Sequence, residues 1–383
     1  MPPPKGQQEF SDCTALVVDD TPINRDLMSV LLETQGIGHI DTAADGVEAL
    51  DRVARQMPDI VLLDIMMPRM DGFEFLTRFR ANPDWADIPV LVTTALNDSD
   101  DRARAFDRGA TDYVAKPIDR RELTARVGVH LRNRLMMQSL KTYRDRLQQD
   151  LAIATAMQAA LLPTADQLES CVRRYGRHLA AVTRPSSEVS GDLWGWFPLD
   201  SQRFAVWLTD FSGHGVAAAI NTFRLHVILG SGPGSDPAAL LTRLNESLVD
   251  VLPRGQFATM LYAVCDTAAE TLVFSSAGAT APIVTTPDGR ARLHPASSLP
   301  LGVRRATVYG NVDLAFPKGA ALMLYSDGLS EAADPTGKHL GEDGVMELAA
   351  GLKTAGDVTG LLSDLAQRGV TFADDVSALW LGG

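Results

Sequence analysis

From Thr14 onward, short apolar runs alternate with stretches whose apolar residues recur every three or four positions. The runs Ala15–Val18, Ile40–Ala43, Ile60–Leu63, Val90–Thr93 and Tyr113–Ala115 read as buried strands. Helical spacing lies between them at about Ile23–Thr34, Gly46–Arg55, Phe73–Phe79 and Arg102–Arg108, and a further helix starts near Asp119. This alternation predicts an α/β domain, a doubly wound five-stranded parallel sheet whose site lies at the carboxyl ends of its strands. Between Asp119 and Leu162 the only strong helix breaker is Gly128. Val129, Met136, Leu140, Tyr143, Leu147, Leu151, Ala154, Met157 and Leu161 form an approximate heptad stripe that Pro163 ends.

Beyond Pro163 strands become frequent, at about His178–Thr183, Phe204–Leu208, Thr259–Val264, Thr271–Ser275, Ala281–Val284, Ala320–Tyr325 and Ser377–Leu381. Helices are expected near Val216–Ile228, Pro237–Leu248, Gly344–Ala350 and Ala355–Gln367. Pro287-Asp288-Gly289 reads as a hairpin turn. This half is expected to be α+β, with antiparallel sheets flanked by helices. The divisions read off are a disordered tail over 1–11, a first domain over 12–128, a helical linker over 129–163 and a second domain over 164–383.

Composition narrows the class. With 383 residues, of which 45% are hydrophobic and 22% charged, the chain has ordinary globular character and is long enough for more than one core. A formal net charge of -13 disfavours a general nucleic-acid binder, and no helix-turn-helix or basic groove-reading segment is evident. No stretch approaches the roughly 20 apolar residues that cross a bilayer, and the opening MPPPKGQQEF has no apolar signal core. Cys13, Cys171 and Cys265 are scattered and odd in number, as expected of reduced thiols in a cytoplasmic protein.

Polar residues at the predicted strand ends carry the candidate chemistry of the first domain. Asp19 and Asp20 follow the first strand, Asp64 the third, Thr94 the fourth and Lys116-Pro117 the fifth. Each alone suits a solvated strand end. Together, three converging carboxylates repel one another and call for a cation, Mg²⁺ by their chemistry. One carboxylate can then take a phosphoryl group while a lysine and a hydroxyl hold its oxygens.

The motifs VVDD, VLLDIMMPRMDGFEF, TTA and KP, over about Cys13–Val129, resemble those of response-regulator receiver domains. The resemblance implies that Asp64 accepts the phosphoryl group, with Asp19 and Asp20 joining it around Mg²⁺. It makes Thr94 the switch hydroxyl, Tyr113 the switch aromatic and Lys116 the phosphate-contacting lysine, with a cis Lys116–Pro117 bond. A histidine kinase or phosphotransfer protein is the implied donor. The linker arginines Arg126, Arg132, Arg134, Arg144 and Arg146 read as a solvated helix face. The long apolar stripe leads to the expectation of a parallel coiled coil and a homodimer, with packing of the helix on the second domain as the other reading.

In the second domain, Asp192 (EVSGDLWGWF), Asp210 (DFSGHG), Asp327 (YSDG) and Asp374-Asp375 (FADD) each sit beside a glycine or a second aspartate. Turn chemistry accounts for any one of them. As a set, with no His or Cys cluster nearby, they suit Mg²⁺ or Mn²⁺ rather than zinc. Two such ions about 3.5–4 Å apart aim a water in line at phosphorus. The run LGSGPGSD is Gly-rich but lacks a Gly-Lys-Ser/Thr ending, so it reads as a loop and not a P-loop.

In order, AMQAALLP, EVSGDLWGWF, DFSGHGVAAA, LNESL, FATMLYAVCD, SSAGATAPIV, LPLGV, LYSDGLSEA and FADDVSALWL resemble the PPM-type serine/threonine phosphatases of the sporulation and stress-regulator branch. The resemblance implies that Asp210 bridges two metals, that the Phe211 carbonyl is a further ligand, and that Asp327 and Asp374 complete one shell. It implies that Asp192 orients the attacking water, that Glu188 and Asp375 support the ligands, and that His214 protonates the leaving serine oxygen. The implied substrate is a phosphorylated anti-anti-sigma-factor-like (STAS) protein. Three departures stand out: Ser190 replaces one of two usual glycines, Gly195 replaces an aspartate, and Ala279-Thr280 replace His-Asn. A phospho-gated binding protein without catalysis is the rival reading.

Overall fold

The computed structural model describes residues 9–95, 99–213, 215–230, 232–296 and 298–383. The chain divides into two compact units, Met1–Arg146 and Leu147–Gly383.

In the first unit, β1 (Thr14–Val18), α1 (Pro22–Thr34), β2 (His39–Ala43), α2 (Gly46–Arg55), β3 (Ile60–Asp64), α3 (Gly72–Arg80), β4 (Val90–Ala95), α4 (Ser99–Asp107) and β5 (Asp112–Lys116) alternate as the pattern predicts. All pairings are parallel, in the order β2-β1-β3-β4-β5. The central strands are buried on both faces, which explains their unbroken Val and Leu runs. Asp45 caps α2 by accepting hydrogen bonds from the Val47 and Glu48 amides, and Asp71 caps α3 through Glu74 N–H. The chain order reverses between β1 and β3, and it is there that Asp19, Asp20 and Asp64 emerge.

The helix expected to start near Asp119 and to run on through the linker is one element: α5 spans Arg120–Ala159. Leu123, Val127 and Leu131 sit in the core of the first unit beside Leu32 and Leu62, so the opening turns of α5 are part of that core. Met136, Leu140, Tyr143, Leu147 and Met157 are exposed.

The second unit continues with α6 (Ala165–Tyr175), β6 (His178–Arg184), β7 (Asp192–Pro198), β8 (Arg203–Phe211), α7 (Val216–Gly230), α8 (Pro237–Val249), β9 (Ala258–Asp266) and β10 (Thr271–Ala277). It ends with β11 (Ile283–Thr285), β12 (Ala291–Leu293), β13 (Val312–Ala315), β14 (Ala321–Tyr325), α9 (Asp327–Ser330), α10 (Gly341–Gly351), α11 (Ala355–Gln367) and β15 (Val376–Gly382). Two five-stranded antiparallel sheets form, β13-β10-β9-β8-β7 and β12-β11-β14-β15-β6. Phe204, Val206, Leu208, Leu261, Leu322 and Leu379 fill the space between the sheets. Ala205, Trp207, Met260 and Tyr262 face the other way, under α7 and α8. Met323, Ala378 and Trp380 lie under α10 and α11. The result is a four-layer helix-sheet-sheet-helix sandwich. β8 is covered on both faces, which is why Phe204–Leu208 is apolar without alternation.

The sequence pattern missed β7, β12, β13, α6 and the single turn α9. Gly195 interrupts β7, yet it is required there. A Cβ at this position would lie 2.6 Å from the Trp207 ring across the ladder. α6 begins in a capping box between Thr164 and Gln167. All three cysteines are free and buried, and burial pushes their thiols up, to about 11 for Cys13 and about 12 for Cys171 and Cys265. Among the described residues, no helix is long and apolar enough to cross a membrane.

Candidate functional sites

In the first unit, Asp19, Asp20 and Asp64 bring ligand oxygens within 4.8 Å of one another, the one carboxylate group of this kind among the described residues. Asp19 is fully buried and anchored. It accepts hydrogen bonds from Thr21 N–H at 2.9 Å and from the Asn24 amide at 3.1 Å. Asp64 Oδ1 accepts from Ile65 N–H at 2.8 Å. The Lys116 ammonium reaches across from the end of β5, 2.8 Å from Asp64 Oδ2 and 3.2 Å from Asp19 Oδ2. The peptide bond that follows, Lys116–Pro117, is cis. Burial raises the Asp64 carboxyl above its ordinary range and the Asp19 charge adds to this, while Lys116 opposes it. For Lys116 burial pulls the ammonium down, but the bonds to Asp64 and Asp19 outweigh it and raise its pKa. Asp20 is exposed, and its Oδ1 accepts from Thr21 Oγ1 at 3.2 Å.

Thr94 is buried at the end of β4. Tyr113, in β5, is half-buried between two guanidinium groups, Arg102 at 5.2 Å and Arg126 at 5.1 Å from the ring centroid, with Phe106 edge-on at 6.2 Å. Arg126 is therefore not merely part of a solvated face. It also bonds Asp112 at 2.7 Å and Glu122 at 2.9 Å.

In the second unit the antiparallel ladder of β7 and β8 sets Asp192 directly opposite Asp210. Asp327 opens the one-turn helix α9 after β14, and Asp374-Asp375 precede β15. Close backbone approach is built in by glycine. A Cβ on Gly191 would lie 2.8 Å from the Phe211 carbonyl oxygen, and one on Gly328 would lie 2.1 Å from that of Asp375.

Asp192 is buried, and among the described residues neither of its carboxylate oxygens has a hydrogen-bond partner. Burial raises its pKa, with Asp375 and Asp327 adding to the effect, although the Ser377 and Ser326 hydroxyls lie close enough to moderate it. Burial also raises Asp210, reinforced by Asp192, Asp327, Asp374 and Asp375. The Asp327 carboxyl is raised by partial burial, Glu331 and Asp374, although the residue is exposed on its outer side. Asp210, Asp327 and Asp374 do not form a group as tight as the one in the first unit.

Asp375 plays a different part. Buried, it accepts hydrogen bonds from Ser186 N–H (2.6 Å) and Oγ (2.8 Å), Ser190 Oγ (2.9 Å) and Gly191 N–H (2.6 Å). Glu188 is exposed, and it is its carbonyl that is engaged, accepting from Thr155 Oγ1 at 2.8 Å. His214 lies outside the described residues. A cavity of about 40 Å³ is lined by Asp210, Thr259, Ala279, Thr280 and Asp327 among others, and the Thr280 hydroxyl donates to the Tyr325 carbonyl. The Ala279-Thr280 departure thus lines the acidic site.

An orphaned buried carboxylate among mutually repelling aspartates, with oxygen donors alone, fits a hard divalent cation. The same holds for Asp19, Asp20 and Asp64.

Residues 15–128 match the family model of the response regulator receiver domain, and residues 200–382 match that of Stage II sporulation protein E (SpoIIE). The second unit resembles the SiaA-PP2C domain of Pseudomonas aeruginosa in fold, with a TM-score of 0.55 and 19% identity over 63% of this chain and 98% of that one. Among curated relatives, "Response regulator PleD" of Caulobacter vibrioides is 42% identical over 33% of this chain and 28% of its own length. "DNA-binding dual master transcriptional regulator RpaA" of Synechocystis is 42% identical over 30% of this chain and 48% of its own length. The chain thus spans less than half the length of these relatives. Residues 15–128 thus carry a response regulator receiver domain, and residues 200–382 carry a PPM phosphatase domain of the SpoIIE type.

Proposed function

We propose that this protein is a two-component response regulator whose output is metal-dependent hydrolysis of serine/threonine phosphomonoesters on a protein. The observation that carries the reading is the Asp192–Asp210 pair. Two aspartates face each other on one ladder, one with no hydrogen-bond partner for either buried oxygen among the described residues, beside Asp327 and Asp374.

Asp210, the Phe211 carbonyl, Asp327 and Asp374 would hold two Mn²⁺ or Mg²⁺ ions. When bound, the ions offset phosphate charge and make a water more acidic. Asp192 orients that water from the opposite strand. Asp375 holds the approach to Asp192 in place, Glu188 flanks it, and His214 donates a proton to the leaving serine oxygen. Thr280 and Ala279 line the space beside Asp210, so they border the incoming phosphoester.

In the receiver, Asp64 takes the phosphoryl group from a histidine kinase or phosphotransfer protein, with Asp19 and Asp20 holding Mg²⁺. Lys116 stabilises the added charge, and Thr94 and Tyr113 report it. The substrate is a phosphorylated STAS-like protein, and the active species is a homodimer in the cytoplasm joined through the exposed stripe of α5. Asp64→Asn is expected to abolish labelling by acetyl phosphate.

The deciding measurement is hydrolysis of an aryl phosphate with Mn²⁺. Asp210→Ala is expected to lower the rate by about a hundredfold or more. Equal rates for the two proteins would favour the rival, a non-catalytic protein that sequesters its partner.

A further inference from the structure

α7 is apolar on both its inner and its outer face. Ala218, Leu225 and Leu229 are buried against the sheet beneath it. Val216, Ile220 and Val227, which share the opposite face by helical spacing, are exposed. A helix that is apolar all round is ordinarily covered all round. The exposed face extends beyond the helix. The Arg224 guanidinium donates to the Val251 carbonyl at 3.3 Å, and the Asn221 amide donates to Gln256 Oε1 at 2.9 Å, so α7 lies against the turn 251–256. That turn meets the segment 299–304. The Ala258 and Leu301 backbones bridge, and a Cβ on Gly302 would lie 2.6 Å from Leu252. Val251, Leu299 and Val303 are exposed there, which carries the apolar surface across all three segments.

The charge on this surface runs against that of the chain. The formal net charge is -13, yet Arg254 and Arg304 are exposed here, and among the described residues neither guanidinium has a carboxylate partner. Arg224 meets neutral carbonyl oxygens, those of Val251 and of the Asn221 amide. Arg305 differs, since Asp250 and Glu246 neutralise it. The face also begins at the acidic site. Val216 follows the Asp210 loop, and two hydrogen bonds of 2.9 Å, Ser212 N–H to the Phe257 carbonyl and Phe257 N–H to Ser212 Oγ, tie that loop to the residues after the turn. With 15 residues, α7 carries its face about 20 Å outward from there.

We infer that α7, the turn 251–256 and the segment 299–304 form the surface on which the phosphoprotein docks, and that this surface selects a partner whose phosphorylated residue is flanked by acidic and apolar side chains. The inference rests on reading Asp192, Asp210, Asp327 and Asp374 as the hydrolytic site. The apolar stripe supplies contact area. The arginines offset the repulsion between an acidic chain and an acidic partner, and they disfavour a basic one.

The test measures kcat/KM of the full chain with Mn²⁺ on three substrates. One is an aryl phosphate, too small to reach beyond the acidic site. The others are phosphoserine peptides with about ten residues on each side, enough to span the face at about 3.3 Å per residue. One peptide is flanked by leucine and aspartate, the other by leucine and lysine. The aspartate peptide is expected to be preferred about tenfold, and less so as salt rises. Arg254→Glu combined with Arg304→Glu is expected to reverse that preference. Ile220→Asp is expected to lower the rate on the aspartate peptide about tenfold. All these variants are expected to keep the parent rate on the aryl phosphate. Equal rates of the parent on both peptides, or parent-like peptide rates in the variants, would overturn the proposal, as would an equal loss on the aryl phosphate. Dissociation of a dimer by Ile220→Asp in sedimentation, with peptide rates unchanged, would assign the face to a second copy and also overturn it. A parent inactive on all three substrates overturns the phosphatase reading, and this inference with it.

Discussion

Asp375 shows how much one side chain carries in this fold. Its carboxylate accepts from two amides and two hydroxyls, all from the segment before β7. Asp375→Ala leaves those donors without an acceptor, a loss of roughly 3 kcal/mol or more. Asp375→Asn keeps one oxygen and is expected to lose less. Urea unfolding of the second unit checks both. Asp112 is the corresponding case in the first unit. Burial works to raise it, but bonds from His130, Arg126 and Tyr113 N–H outweigh that and hold it below the usual carboxylate range. A lowered folded pKa means that the stabilisation is present above the unfolded value and lost as pH falls through the folded one. Asp112→Asn is therefore expected to lower the urea midpoint at pH 7 and to make little difference below both pKa values, near pH 2.

At the level of elements, legibility followed periodicity. The helix Gly46–Arg55 is readable because Asp45 marks its start and Val53 and Ala49 mark its buried face. β7 is not readable, because Gly195 breaks the pattern for the sake of a Trp207 ring on the neighbouring strand. That omission hides the central relation of the second site. Asp192 and Asp210 can be named from motifs, but their facing across one ladder depends on β7 being a strand. Tyr113 was singled out, but the two arginines that enclose it lie on other elements.

α5 divides the same way. Leu131 is fully buried, so Leu131→Ala is expected to cost about 2–5 kcal/mol in the first unit. Tyr143 is 69% exposed, and Tyr143→Ala is expected to change monomer stability by less than about 0.5 kcal/mol. If α5 pairs with a second copy, sedimentation at tens of micromolar reports a dimer for the parent and a weaker one for Tyr143→Ala.

At the scale of the whole molecule, two units share one helix but not one core. The first is a parallel sheet between helix layers, and the second is a pair of antiparallel sheets between helices. The α+β class of the second unit, antiparallel sheets flanked by helices, was legible because strand frequency rises sharply after Pro163. The four-layer arrangement was not, since it depends on which face of each strand meets the other sheet.

The placement of the cysteines turns this division into an experiment. Cys13 lies in the core of the first unit, while Cys171 and Cys265 lie between the sheets of the second. Each thiol is shielded from reagent until its surroundings open. Brief pulses of an alkylating reagent, read residue by residue by mass spectrometry, then time the opening of the two halves separately without any introduced label. Modification of Cys13 ahead of Cys171 and Cys265 would show the first half breathing on its own, and simultaneous modification would show the shared helix making the two halves open as one.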